Sequence, residues 1–163
     1  MLESMESRRA YFFGSKGNLL RAHQWGAEGH AVALFLGGGL ESWMKQVSEH
    51  LLTVVHLNEK DLSVADIQAA YSYLSNHIGP VRLVAASGDL ANMCVLAGKR
   101  WPSQTRLAAC DPTPDDDVEK ELRHTRRSLF VSPAEGAWAE GAKSCLLGES
   151  IQFEDWFLRG ENE

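Results

Sequence analysis

The chain has 163 residues, 44% of them hydrophobic and 23% charged, with a formal net charge of −6. This length and composition predict one globular domain over residues 1–163 and exclude a disordered chain. The acidic balance argues against nucleic-acid binding. Because no apolar run approaches the ~20 residues that span a bilayer and no signal-peptide pattern is present, we expect a cytoplasmic protein outside the membrane.

The amino-terminal half alternates between strand-like and helix-like segments. A hairpin opens it, with a glycine-rich turn between two runs of β-forming residues. A continuous apolar run then indicates a buried central strand, which three glycines end. The predicted elements are the hairpin strands Tyr11–Phe13 and Leu19–Trp25, strand Ala31–Leu36, helix Glu41–His50, strand Leu52–Leu57 and helix Val64–Ile78.

The carboxyl-terminal half continues the same alternation. Gly79-Pro80 ends the preceding helix, and an acidic run suits the amino-terminal end of a later one. The predicted elements are strand Val81–Ala86, helix Leu90–Lys99, strand Arg106–Cys110, a charged helix from about Val118 to Arg126, strands Ser128–Val131 and Lys143–Leu147, and an amphipathic segment with Phe153, Trp156, Phe157 and Leu158. This order predicts a mostly parallel sheet with helices on both faces.

Neither the cysteines nor the acidic and glycine-rich runs predict a cofactor or metal site. Cys94, Cys110 and Cys145 lie far apart in apolar stretches, so we expect reduced thiols in the core. Gly37–Gly39 lacks the residues that follow a phosphate-binding loop, and Asp115–Asp117 lacks the ligand spacing of a calcium loop. We therefore expect no metal and no cofactor.

The most informative stretch runs from Val81 to Asn92, where apolar β-formers give way to alanine, serine and glycine and then to a helical pattern. Such a strand, sharp turn and helix with Ser87 at the apex is typical of a nucleophile elbow. The G-x-S-x-G spacing, however, is filled as Ala85-x-Ser87-x-Asp89, without either glycine. A carboxylate two residues from the serine would oppose the negative charge that develops in acyl transfer.

Two blocks of sequence resemble the α/β-hydrolase family, and the likeness covers nearly the whole chain. The block Ile78–Pro112 is similar to the family's stretch from the strand before the nucleophile to a later strand that ends in Asp-Pro. The block Leu34–Trp43 is similar to the glycine loop that supplies an oxyanion-hole N–H. The resemblance implies a compact, lidless three-layer α/β-hydrolase-like fold with a central, mostly parallel sheet and an amino-terminal antiparallel hairpin.

The resemblance also implies roles for individual residues. Ser87 matches the nucleophile, and Gly88 and Gly38 match the two donors to an oxyanion. For the acid, Asp111 and Glu135 are candidates, although Gly136 stands at the position that best matches the family's aspartate.

The family's histidine follows the last strand, where this chain has Ile151. No histidine follows His124, so His124 is the candidate base, reaching over the site from the charged helix. The five earlier histidines are expected to be surface or packing residues.

Three hypotheses for function follow. A serine hydroxyl without a base is a poor nucleophile, so the first is a non-catalytic α/β-hydrolase-fold protein that binds a small acyl-type ligand or a protein partner. The second is a weak serine hydrolase, an esterase or thioesterase, in which His124 and either Asp111 or Glu135 serve Ser87. In the third, an exposed patch of carboxyl-terminal aromatic residues binds a protein partner. The oligomeric state is not predicted.

Overall fold

A computed structural model of the chain describes residues 7–14, 16–26, 30–50, 52–57, 59, 61–124, 127–132, 138 and 152–161. In these residues seven strands form one sheet, in the order β1-β2-β4-β3-β5-β6-β7. The strands are β1 Ser7–Phe13, β2 Leu19–Trp25, β3 Ala31–Leu36, β4 Leu52–Leu57, β5 Val81–Ser87, β6 Arg106–Cys110 and β7 Leu129–Ser132.

The sheet is mixed in the way that the sequence predicted. Strand β1 pairs antiparallel with β2, which pairs antiparallel with β4, whereas β4, β3, β5, β6 and β7 run parallel to one another. Parallel pairing aligns the carboxyl ends of these strands along one edge. We call this edge the carboxyl edge of the sheet and the opposite one the amino edge.

Helices cover both faces of the sheet, which confirms the predicted three-layer α/β architecture. They are α1 Glu41–Ser48, α2 Val64–His77, α3 Asp89–Ala97, α4 Asp116–Leu122 and α5 Phe153–Glu161, with a short 3-10 helix at Gly98–Arg100. Side chains alternate between the two faces along each strand. In β5, Val84 and Ala86 pack in the cluster that includes α2, α3 and α4, whereas Leu83 and Ala85 pack in the cluster that includes α1 and α5.

Local interactions explain where some elements differ from their predicted bounds. Helix α4 begins two residues earlier than expected because the Asp115 side chain accepts hydrogen bonds from the Asp117 and Val118 N–H groups. Helix α2 begins as expected, with a capping box between Ser63 and Asp66. The predicted strand Lys143–Leu147 and Cys145 lie outside the described residues.

The carboxyl-terminal aromatic residues belong to the core, so the hypothesis that they form an exposed patch is wrong. Trp138, Phe153, Trp156 and Phe157 each have at most 3% of their surface exposed. Trp156 and Phe157 also lie against the guanidinium of Arg106, whose Nη1 donates to the Trp156 carbonyl at 3.1 Å. These side chains hold α5 on the sheet and present no surface to a partner.

Candidate functional site

The carboxyl edge collects the chemical groups of three neighbouring parallel strands. Gly37–Gly39 follows β3, Ser87 ends β5, and Cys110 and Asp111 stand at the end of β6. In open α/β sheets, ligands bind in the crevice outside these strand ends. The fold therefore places the glycine loop and the serine of the sequence motif at one candidate site.

The apex of the turn after β5 is Gly88 and not Ser87. Ser87 is still in the strand, in register with Cys110 of β6, and the Gly88 N–H continues the ladder by donating to the Cys110 carbonyl at 3.1 Å. Gly88 then takes φ +57° and ψ −133°, a strained conformation that favours glycine, and α3 begins at the next residue.

This geometry corrects two expectations about the elbow. In a nucleophile elbow the serine itself occupies the strained apex, which exposes its hydroxyl. Here the residue at the apex has no side chain. The Gly88 N–H, expected to donate to an oxyanion, is already bonded within the sheet.

The Ser87 hydroxyl faces the glycine loop. Strand alternation places the Ser87 side chain on the same face as Ala85. A Cβ atom on Gly37 would overlap with Ser87 Oγ, and Gly37 has φ +98°. Both the space and the backbone at position 37 therefore require glycine, and the second candidate donor, Gly38, is exposed in the same loop with open space around its Cα.

His56 is the histidine that the fold brings closest to β5 at this edge. It is the penultimate residue of β4, two strands from β5, and its Nε2 donates to the Gly37 carbonyl at 2.9 Å. His23 is in register with it on β2, one strand further away. The sequence predicts a surface or packing role for His56, although its position near the end of a buried strand is the signal that it lies at the carboxyl edge.

The structure does not bring His124 to Ser87. His124 follows α4 and lines a cavity together with Leu107 and Leu129, near the starts of β6 and β7. Ser87 is level with Cys110, three residues further along β6, which is about 10 Å at the usual rise of a strand. Glu135, Gly136 and Ile151 lie outside the described residues.

Asp111 lies at the carboxyl edge, one strand from Ser87. It is a non-glycine residue with positive φ, +46°, and its N–H donates to the Ser132 carbonyl at 2.7 Å. Cys110 Sγ lies 3.9 Å from Asp111 Oδ2. Burial raises the pKa of the Cys110 thiol, and the negative charge of Asp111 and the hydrogen bond to it raise it further, so this thiol is not an activated nucleophile.

Within the described residues, no three or more histidine, cysteine, aspartate or glutamate side chains cluster as ligands for a metal ion. In the same part of the chain, no helix has both the length and the apolar character needed to cross a bilayer.

Comparison with solved structures identifies the fold. The chain is similar to the esterase domain of a Rhodothermus marinus protein, with a TM-score of 0.70, 14% identity and 96% of both chains covered. An esterase of Pyrococcus furiosus aligns with a TM-score of 0.66 and 12% identity over 97% of this chain and 90% of that one. For a dienelactone hydrolase of Anabaena variabilis, the TM-score is 0.67 and the identity 8%, over 97% and 94%.

The protein therefore has the α/β-hydrolase fold, as the two sequence blocks implied. No family model matches the sequence, and no curated relative does so. At these identities the similar structures establish the fold, and the function has to be argued from the site.

Proposed function

We propose that this protein binds a small neutral carbonyl compound of the acyl type, such as an ester, at the carboxyl edge without cleaving it through a serine nucleophile. One observation carries the proposal: Gly88, which has no side chain, occupies the strained apex of the turn after β5. Ser87 lies one residue earlier, in the strand. Its hydroxyl therefore faces the glycine loop and does not project from the apex toward a bound carbonyl.

The amino-terminal end of α3 favours a carbonyl oxygen as the bound group. Helix α3 starts at the carboxyl edge without a side-chain cap, so the Asp89 and Leu90 N–H groups of its first turn have no capping side chain, whereas the Ala91 N–H donates to the Gly88 carbonyl at 3.2 Å. The partial positive charge of this helix end attracts a polar oxygen. The exposed carboxylate of Asp89 repels an anion at the same place, so the site suits a neutral ester better than a carboxylate.

The absence of turnover is tested with a fluorophosphonate, a reagent that forms a covalent adduct with activated serines. Intact-mass spectrometry is expected to find no prompt adduct, whereas an active serine hydrolase treated in parallel is labelled fully. Ser87→Ala and Ser132→Ala form a matched pair, because Ser132 is also half-buried and ends the strand two places from β5. Rapid labelling that Ser87→Ala removes and Ser132→Ala leaves intact would overturn the proposal.

Binding is tested separately with ethyl butyrate as the probe, followed through the amide NMR signals. Concentration-dependent shifts are expected at Gly38, Gly88 and Asp89, which border the carboxyl edge. Butyrate, the anionic counterpart, is expected to cause smaller shifts because of Asp89. The proposal fails if ethyl butyrate leaves these signals unmoved or moves only signals elsewhere.

A weak serine hydrolase is the second candidate, and the comparisons favour it over a non-catalytic protein. The similar structures include esterases and a dienelactone hydrolase. Ser87 and the glycine loop are both retained at the carboxyl edge. Of the histidines, His56 is better placed than His124 to act as the base, although its Nε2 would first have to leave the Gly37 carbonyl.

Hydrolysis of p-nitrophenyl acetate by variants distinguishes the two candidates. If the protein is a hydrolase, Ser87→Ala and His56→Gln each lower kcat by at least about a hundredfold, while His124→Gln does not. If it is a binding protein, all three variants and the wild type share the same slow background rate. Asp111→Asn and Glu135→Gln then test which carboxylate, if either, orients the base.

A further inference from the structure

We propose a second binding site, for a small organic monoanion with an apolar body, in the cavity at the amino edge of the sheet. The cavity measures about 340 Å³, within the range of roughly 300–1,000 Å³ that is typical of small-molecule sites. It lies between α3, α4 and the starts of β6 and β7, at the end of the sheet opposite to the carboxyl edge.

The inner wall of the cavity is apolar and the rim is charged. Leucine and valine side chains from both helices and both strands form the wall: Val95, Leu107, Leu122 and Leu129. Lys99, Glu121 and His124 stand at the rim, where Lys99 is half-exposed. A ligand with one apolar end and one charged end matches this division.

Arg127 supplies a fixed positive charge beside the cavity. Its guanidinium donates to the carbonyls of Gly98 at 2.8 Å, Trp101 at 3.1 Å and Pro102 at 2.8 Å, and also to the Thr105 carbonyl. These bonds fix the orientation of the side chain. Burial lowers the pKa of Arg127, an effect that an anion in the cavity would offset.

The balance of charge selects a monoanion. Lys99 and Arg127 are positive, and the Glu121 carboxylate, 3.2 Å from Lys99 Nζ, is negative. The described residues of the lining therefore carry one excess positive charge, which one carboxylate neutralises and a dianionic phosphate would exceed. His124 also lines the rim, and an imidazole N–H is a donor that a ligand oxygen can accept from.

One wall of the cavity is rigid enough to hold an aromatic ligand in place. Trp101 stacks on Tyr71, with ring centroids 4.4 Å apart and an interplanar angle of 9°. The Tyr71 hydroxyl is hydrogen-bonded to Thr105, which in turn donates to the Val81 carbonyl at 2.7 Å. A preformed aromatic wall lowers the entropic cost of binding a planar ligand.

The test compares naphthalene-2-carboxylate with the neutral 2-naphthalenemethanol by isothermal titration calorimetry on the full chain. The carboxylate is expected to bind about fivefold more tightly, a factor typical of one half-exposed charge-assisted hydrogen bond. Lys99→Met should abolish this preference. Lys120→Met removes the same charge from an exposed position on α4 outside the cavity and should retain it.

Glu121→Gln should change the affinity for the carboxylate in the direction opposite to Lys99→Met, because it removes the negative charge that the described residues place at the rim. It should tighten binding of the carboxylate about threefold and leave the alcohol unchanged. Amide NMR shifts should appear at Gly98, Lys99 and His124, and not at Gly38 or Asp89, which separates this site from the carboxyl edge. The proposal is overturned if neither probe binds or if both bind with equal affinity. It is also overturned if Lys99→Met and Lys120→Met lose the preference for the carboxylate equally, or if the NMR shifts are confined to the carboxyl edge.

Discussion

Gly88→Ala measures the strain at the apex of the turn after β5, on which the proposed function rests. A residue with a Cβ atom in such a sparsely populated conformation costs about 1–3 kcal/mol. Among the described residues, no atom beyond the two chain neighbours lies within 4 Å of the position of the new Cβ, so no steric cost from them is added. Alanine also lowers the conformational entropy of the unfolded chain, which stabilises the folded state by about 0.4–1 kcal/mol and offsets part of the strain. The net expected loss is about 1–2 kcal/mol, or roughly 2–8 °C in Tm.

Gly38→Ala is the matched control for this substitution. A Cβ atom on Gly38 would likewise have no atom of the described residues within 4 Å beyond its chain neighbours, but the φ of Gly38 lies outside the left-handed region, so the new Cβ meets neither strain nor a clash with them. We expect Gly38→Ala to be as stable as the wild type or up to about 1 kcal/mol more stable. Urea denaturation monitored by circular dichroism compares the two variants. If Gly88→Ala and Gly38→Ala prove equally stable, Gly88 is not the strained apex, and the turn no longer speaks against Ser87 as a nucleophile.

Three further predictions concern groups near the two sites. Gly37→Ala should lower the free energy of unfolding by about 3 kcal/mol, because the new Cβ strains the backbone and overlaps with Ser87 Oγ. Thermal denaturation should find a smaller loss when Gly37→Ala is made in the Ser87→Ala variant, and additive losses would contradict the contact. Cys110 should react with iodoacetamide more slowly than free cysteine at pH 8, because its raised pKa leaves less thiolate. Asp111→Asn should accelerate this alkylation, followed by mass spectrometry, and an unchanged rate would show that Asp111 does not raise the pKa of Cys110. Arg127→Met should lower the free energy of unfolding by about 2–4 kcal/mol in urea denaturation, because the guanidinium donates to several carbonyls. Arg127→Lys should be no more stable than Arg127→Met, since a lysine cannot replace the fork of donors, and a stability equal to the wild type would refute this role of the guanidinium.

The strands that are buried on both faces were the most predictable part of the fold. Ala31–Leu36 and Leu52–Leu57 both have the bounds expected from the sequence. An uninterrupted apolar run such as Ala31–Leu36 has only one stable environment, the centre of the sheet, and Leu52–Leu57 pairs beside it with five of its six residues buried. Helix α4 was less predictable. Its start depends on which of three successive aspartates caps it, and a capping hydrogen bond is a matter of local geometry that the acidic run alone does not specify.

The candidate site was predictable in its location and not in its register. The change from β-formers to small residues correctly placed the turn beside Ser87. The position of the apex among these small residues depends on how far β5 remains paired. A hydrogen bond from the Gly88 N–H to the Cys110 carbonyl on β6 fixes that length. His56 was missed for a similar reason. Its proximity to the glycine loop follows from the order of β4, β3 and β5 in the sheet, which no local pattern contains.

The order of two residues, serine before glycine, decides what the carboxyl edge can do. Because β5 stays paired through Ser87, the strand alternation turns that side chain toward the face of α1 and α5, where the missing side chain of Gly37 leaves room for it. The next residue takes the strained turn, where glycine is the easiest residue to accommodate. With the order reversed, the hydroxyl would stand at the apex over the start of α3. The turn thus carries its serine hydroxyl one residue before the strained apex, toward the glycine loop, in a sheet of the α/β-hydrolase fold.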